Sequence, residues 1–555
     1  MIVQKACITA HYSEASDGSG DDALFIKEAY RGEDGTITKK MVLKENREYP
    51  FWISKPGVRK THKYKKEHEL MENLNEYRSR RSHLARNISR VLKIPGNAWL
   101  GRIKNNPYIY GIDVTPPVIA KYEYAKGAGS FAPERDVAQL DYETNVYSAE
   151  GEIIAGTYIG GGYIILSYTE AFVANVDDHE NKVMELFEKE LGETAKKLGL
   201  KLYIKVAEDS VGCIKCMMGT AHKLKPDIVS TWSIKADMEF MLRDLKRAGI
   251  DPKYIFSDPA VPDKYKSFYW REAQAQKKRP DGSTTPVHVA DRWHVVKTMS
   301  SFDFVDAMVF FKRNRVGKKN MSSYSLDNVT SVMLGKRKLT MGLGEGLSKI
   351  DWHKLMQRYH KIEYLVYNIN DSLLMHELDL KTGDLSRRFS GAAGISEVPR
   401  MASGPTTLSD DYHFFLNDRS KVLACTGETM KTDLDAEIMS RRGWIATVSS
   451  KLSMPSLSNV LKACYNAACR VFTHCADTDI VSSYPVGGIM SNNSKGTTLF
   501  EICAIEGMRE ADLRRCLVNL TSVKANALAL GKDLYGLPSI DTMLSRYKLF
   551  IQHKS

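Results

Sequence analysis

Between Asp141 and Val206 the apolar pattern changes period, and that change constrains the fold more than any other feature of the chain. Asp141–Tyr147, Glu152–Tyr158 and Gly162–Ser167 read as consecutive strands, with Gly151 and Gly160-Gly161 marking the turns. A helix is expected from about Asp178 to Leu198, with Val183, Phe187, Leu191 and Leu198 on its inner face, and Leu202–Val206 returns as a strand. Three strands followed by alternating helix and strand suit a mixed sheet covered by helices, an α/β arrangement.

The first of these strands carries Asp141 and Glu143. Residues two apart on a strand point to the same side, so both carboxylates face one way, within reach of a shared divalent cation. For an isolated pair of this kind a solvated strand edge is the better explanation, so its meaning depends on what else the chain supplies.

With 555 residues the chain is far longer than one core serves, and two to four domains are expected. Its 79 Lys and Arg against 67 Asp and Glu leave a net charge of +12, which favours a polyanionic partner. The start, Met1-Ile2-Val3-Gln4-Lys5, lacks the apolar run of a signal peptide. No stretch approaches the roughly 20 apolar residues that cross a bilayer. Nine cysteines are scattered, and Cys213 and Cys216 are the one close pair. With no second pair or histidines at ligand spacing, reduced thiols in a cytoplasm are expected rather than a zinc site.

Residues 1–125 read as a first domain of strands plus one long helix. From Tyr64 to Lys93, Leu70, Leu74, Tyr77, Leu84, Ile88 and Val91 recur at helical spacing. The opposite face carries Lys65, Lys66, Arg78, Arg80, Arg81, Arg86 and Arg90, either a solvated face or a contact for a phosphate backbone. Tyr108–Asp113 and Val118–Tyr122 read as strands entering the next domain.

Farther on, Lys225–Asp237 reads as an apolar strand running into a short loop. Asp237 falls just before a helix from Met238 to Ala248 that ends at Gly249. There it serves as an N-cap or as a metal ligand beside a strand end. Tyr359–Leu378 reads as an amphipathic helix with Tyr367 and Asp371 four apart on one face. Met341–Gly346 looks superficially like a nucleotide loop, but no clear strand precedes it and no Lys-Ser/Thr follows, so a plain loop is expected. From about Ser386 the chain becomes loop-rich, then mixed α/β from about Arg442, and contains Asp477-Thr478-Asp479-Ile480-Val481-Ser482-Ser483-Tyr484-Pro485.

Taken together, these stretches resemble family B DNA polymerases of the bacteriophage type. Asp141-x-Glu143 is similar to the first exonuclease motif. Trp232-Ser233-Ile234-x-x-Asp237 is similar to the second, where the family usually has Asn and Phe at the positions of Ser233 and Ala236. Tyr367-Asn368-Ile369-x-Asp371 is similar to the third. Tyr254–Pro259, Tyr324–Val329 and Leu334-Gly335 also match the family's style, and Asp479-x-x-Ser482-x-Tyr484-Pro485 resembles polymerase motif A. The second palm motif and the fingers motif have no counterpart.

The resemblance implies a multidomain α/β and α+β chain: a mixed α/β N-terminal domain over 1–125, an RNase H-like exonuclease domain over 126–385, and a linker with a partial palm over 386–555. It implies hydrolysis of 3′-terminal nucleotides with two Mg²⁺ ions, Mn²⁺ being an alternative. Asp141 would bridge both ions, Glu143 and Asp371 would hold the ion that generates the nucleophile, and Asp237 would serve the ion at the leaving group. Tyr367 would orient the attacking water. Asp479 would hold a polymerase metal, while Ser482 and Tyr484 would meet an incoming dNTP. The partners implied are a single-stranded 3′ end and primer–template DNA, with Arg78, Arg81, Arg86 and Arg90 as backbone contacts. A second polypeptide would supply fingers, the remaining palm and thumb, all in the cytoplasm of an infected bacterium. The competing expectations are a stand-alone 3′→5′ exonuclease and a catalytically silent DNA-binding subunit.

Overall fold

A computed structural model of the chain describes residues 2–402, apart from 59–67, 95–99, 104–105, 107, 129–132, 279–281, 289–290, 316–320, 345 and 389–397, together with 422–424. The described residues form a mixed α/β structure with several sheets. The chain divides into two compact units. One comprises residues 1–52, 76–104 and 111–415, and the other comprises 53–75, 105–110 and 416–555. In the second unit the described part includes a short antiparallel pairing of His68–Leu70 with Val422–Ala424. The candidate site described below lies in the first unit.

Its N-terminal portion is an antiparallel sheet of β1 (Ile2–Glu14), β2 (Asp22–Gly32) and β3 (Ile37–Glu45), in that order. One face buries Ala10, Leu24 and Ile26 against Ala120 and Tyr124 of a helix, and the other buries Ala23 and Phe25 against Val261, Tyr265 and Met299. The sheet is tied to the rest of the unit by a buried ion pair: the Lys27 ammonium lies 2.6 Å from Asp227, which Lys39 also meets at 2.6 Å.

The basic stretch around Arg78 departs from the expected single helix. Among the described residues of the stretch, Leu74–Arg80 is a strand and the α-helical part is α1 (Leu84–Leu92). Tyr77 stacks on Phe51 with ring centroids 5.6 Å apart, and the buried Ser79 accepts from Asn87 at 2.7 Å. The packing of Tyr77 on Phe51, outside the segment, overrides a helical spacing that propensity alone cannot enforce. Val118–Tyr122 is likewise not a strand but part of α2 (Pro116–Ala128). Pro116-Pro117 at its start is compatible with a helix, because the first turn needs no N–H donors.

The central sheet has six strands: β4 (Val137–Thr144), β5 (Ile153–Gly160), β6 (Tyr163–Thr169), β7 (Lys201–Ala207), β8 (Ile228–Thr231) and β9 (Asp303–Asp306). Their spatial order is β7-β6-β5-β4-β8-β9. β4, β5 and β6 form an antiparallel meander. β7 runs parallel to β6, β8 parallel to β4, and β9 parallel to β8. The mixed sheet expected from the sequence is therefore present. β5 and β6 are joined by Gly161 and Gly162, both at positive φ (61° and 85°), the two-residue turn whose twist suits a hairpin. Gly156 lies opposite Tyr142, and a Cβ there would come within 2.6 Å of the tyrosine ring, so only glycine lets these strands pair.

Helices cover both faces. Leu140, Tyr142 and Tyr158 pack with α4 (Ser210–Leu224) and α5 (Ile234–Arg247), whose Met217, Met218, Met238 and Met241 fill that side. Ile159, Leu166 and Tyr168 pack on the other side with α3 (His179–Lys197) and α7 (Lys361–Thr382). Because Leu140 and Tyr142 take the first face, alternation turns Asp141 and Glu143 towards α7. α6 (Lys349–Tyr359) precedes α7, and Met341–Gly346 is a turn where described, as expected of a plain loop. Among the described residues no helix is long and apolar enough to cross a membrane.

Candidate functional site

Tyr364, Tyr367, Asn368 and Asp371 recur three and four apart on α7, so one face of that helix meets β4. There the carboxylate oxygens of Asp141, Glu143 and Asp371 come within 4.8 Å of one another. Asn368 Nδ2 donates to Asp141 Oδ2 at 2.8 Å, and its own Oδ1 accepts from Thr157 at 2.5 Å, which fixes the amide between β4 and β5. Tyr364 donates its hydroxyl proton to Glu143 Oε2 at 2.5 Å. The same hydroxyl oxygen accepts from Gln357 Nε2 at 3.1 Å and lies 2.7 Å from His353 Nδ1, so α6 sets its direction.

Asp237 is close but apart from this triad. It is not the N-cap expected from the sequence: α5 begins earlier, at Ile234 with Ser233 as cap, and Asp237 is buried in the first turn. The helix starts early because the carboxylate of Asp306, at the end of β9, accepts the Ile234 N–H at 3.1 Å while capping the following helix through the Val309 N–H at 2.8 Å. Asp306 therefore anchors the turn that carries Asp237.

Burial and mutual repulsion shape the charges. Burial first, then the charges of Asp237, Glu143 and Asp371, hold Asp141 well above the usual carboxylate range. Glu143 is pushed up to about 7 by burial and by Asp371, against the pull of the Tyr364 hydrogen bond. Burial, with help from Asp306 and Glu143, pushes Asp237 up to about 7. Asp306 reaches about 7 by burial despite its backbone donors, and burial also raises Asp371. Burial lowers His353 to about 4, with Lys349 and Lys338 adding to the effect, so its ring is neutral at pH 7.

A cation from elsewhere in the chain answers part of this negative charge. Lys338 donates to the Tyr367 hydroxyl at 2.9 Å and to Asp371 Oδ2. Burial alone would lower its pKa, but Asp371, Asp141 and Glu143 outweigh burial and raise it. Asp327 places the lysine: one oxygen accepts the Lys338 N–H at 2.9 Å and the other the Arg337 guanidinium at 3.1 Å. Tyr367 is buried, with its ring 4.8 Å from Trp352 and stacked on Tyr364.

The donor set fits a hard divalent cation. It is all oxygen, three carboxylates converge, and Asp371 Oδ1 is buried with no hydrogen-bond partner.

Tyr364 and Asn368 lie on the helical stripe that already drew attention to Tyr367 and Asp371, so spacing alone points to them. Lys338, His353 and Asp306 have no such local signal, because a loop, the helix α6 and the end of β9 deliver them from other parts of the chain. Among the arginines expected at DNA, Arg86 and Arg90 are exposed one turn apart on α1. Arg78 pairs with Glu76 at 3.3 Å, and Arg81 donates to the Ile112 carbonyl, so neither is presented on a common helical face with the other two. Asp479, Ser482 and Tyr484 lie outside the described residues. No protein-family model matches the chain, and no curated protein matches it.

Proposed function

We propose that the chain is the 3′→5′ exonuclease-bearing part of a family B DNA polymerase of the bacteriophage type, with an RNase H-like catalytic domain. The observation that carries this reading is the convergence of Asp141 and Glu143 from a strand with Asp371 from a helix, their oxygens within 4.8 Å. A mixed sheet in which a three-strand antiparallel meander is extended by parallel strands is compatible with an RNase H-like domain and supports the same reading.

Asp141, Glu143 and Asp371 would hold one Mg²⁺, and Asp141 with Asp237 a second. Bound there, the ions supply an activated water and neutralise charge on the leaving 3′ oxygen. The protein's own groups set up the displacement. Tyr364 holds Glu143 in one orientation and leaves its other oxygen available. Lys338 directs the Tyr367 hydroxyl and adds positive charge where a phosphate has to approach. The buried rings of Tyr364 and Tyr367 limit water on that side. Hydrolysis breaks the bond between phosphorus and the 3′ oxygen of the preceding nucleotide, forms one to the water oxygen, and releases a 5′-mononucleotide, while the 3′ oxygen takes a proton and becomes the strand's new 3′ hydroxyl end.

The synthetic half of the proposal rests on the sequence at Asp479, Ser482 and Tyr484. A purified chain incubated with Mg²⁺ and 5′-labelled single-stranded DNA should shorten it from the 3′ end and release 5′-mononucleotides. Internal cleavage, or no cleavage in Mg²⁺ or Mn²⁺, would refute the hydrolytic reading.

A further inference from the structure

On the face of the central sheet turned away from the carboxylates, the edge strand β7 leaves a side uncovered. Its alternation exposes Lys201, Tyr203 and Lys205, while Leu202, Ile204 and Val206 turn to the covered side. Tyr203 is 53% exposed and Tyr163, on the neighbouring β6, is 36% exposed, with ring centroids 5.7 Å apart and planes at 60°. The register fixes the face. Ile165 pairs with both Tyr158 and Tyr203, and Tyr158 belongs to the core beneath α4, whereas Asp141 faces α7.

Large aromatic rings exposed side by side need an explanation, and their surroundings supply one. Lys201 and Lys205 flank Tyr203 at two-residue spacing, about 13 Å from one another along the strand. Neither makes an ion pair among the described residues. The adjoining helix α4 adds exposed Lys215 and Lys223. Its Gly219, also exposed, has nothing within 4 Å of where a Cβ would stand, so the helix surface is low there. Of the nearby acids, Asp209 is engaged in capping α4 through the Gly212 N–H, and Glu208 is exposed at the far end of β7.

We infer that Tyr163, Tyr203, Lys201 and Lys205 form a platform for single-stranded nucleic acid. The tyrosine rings stack on unpaired bases, and the lysines meet the phosphates on either side. A duplex hides its base faces, and an acidic peptide would engage the lysines but have no use for the rings. The platform is separate from the carboxylates and does not rest on the hydrolysis proposed for them.

Cross-linking in chelator, with a short oligothymidylate containing 5-iodouracil, followed by mass spectrometry, is expected to place adducts on Tyr203 and Tyr163. The same adducts should form in Asp141→Ala protein, which separates this site from the carboxylates. The pair of substitutions Tyr163→Ala and Tyr203→Ala, both at exposed positions, should weaken oligothymidylate binding about tenfold or more. Lys201→Gln with Lys205→Gln should flatten the salt dependence of log K by about 1.4. Adducts confined to other residues would overturn the platform. So would native affinity in a folded double-tyrosine variant, or polyglutamate and duplex DNA competing as well as oligothymidylate.

Discussion

Lys338 donates to the Tyr367 hydroxyl at 2.9 Å and to Asp371 from the same ammonium. The two aligned groups on α7 therefore share one cation supplied by a loop. That cation also lowers the pKa values of Asp371, Asp141 and Glu143. Lys338→Met removes a charge that competes with bound metal, so at pH 9 Mn²⁺ affinity measured by calorimetry should rise. Turnover should fall at least tenfold, by the loss of about 1.4 kcal/mol or more of positioning at Tyr367. Weaker metal binding in this variant would show that Lys338 supports the site in some other way.

Tyr364→Phe removes the hydroxyl that donates to Glu143 and leaves the ring in place. A hydrogen bond to the carboxylate favours its charged form, so its loss raises the Glu143 pKa from a value already pushed up to about 7. The acid limb of the pH–rate profile should move to higher pH, and the lost bond should cost about 1–3 kcal/mol of ground-state or transition-state stabilisation. An unmoved acid limb would remove Tyr364 from the account.

The strand meander, α3, β7, β8 and the helix bearing Tyr367 and Asp371 were legible in the sequence because apolar periodicity and glycine turns determine them locally. Their boundaries shifted by only a few residues. What was not legible depends on partners far away in the chain. Leu70, Leu74 and Tyr77 keep helical spacing, yet Leu74–Arg80 is a strand, with Tyr77 on Phe51. Asp237 looked like a cap because nothing nearby in sequence reveals that Asp306 accepts the Ile234 N–H and starts α5 a turn sooner. Lys338 and His353 carry no periodic signal, and only the packing of their loop and helix beside Glu143 and Asp371 gives them a role.

Asp306→Ala should act at a distance. It frees the N–H groups of Ile234 and Val309 in a buried setting, which costs about 1–3 kcal/mol of stability. It also loosens the turn that presents Asp237. Metal titration should show one ion bound near normally and the other weakened. Two unchanged affinities would mean that Asp237 is held independently of Asp306.

Without metal, the acid cluster should make the protein less stable as pH rises. The folded-state pKa values of Glu143, Asp237 and Asp306 reach about 7, above their unfolded values near 4. Between those limits the folded state holds more protons than the unfolded state. Their favourable contribution is therefore complete below about pH 4 and is lost as pH rises through 7. Thermal unfolding in chelator should show Tm falling between pH 5 and 8, beyond the change seen in Asp141→Asn protein, and Mg²⁺ should restore it at pH 8. A Tm that rises with pH in chelator, in parallel with the variant, would contradict the mutual repulsion assigned to these carboxylates.

In the proposed reaction Asp141, Glu143 and Asp371 act as one metal-holding unit for 3′-terminal hydrolysis. Mg²⁺-dependent shortening of 5′-labelled single-stranded DNA by wild-type, Asp141→Asn and Asp371→Asn proteins, each with an unchanged circular dichroism spectrum, tests it most directly. Degradation from the 3′ end is expected of the wild type, with a loss of at least a thousandfold in each variant, about 4 kcal/mol in barrier height. Undiminished degradation by either folded variant would contradict it.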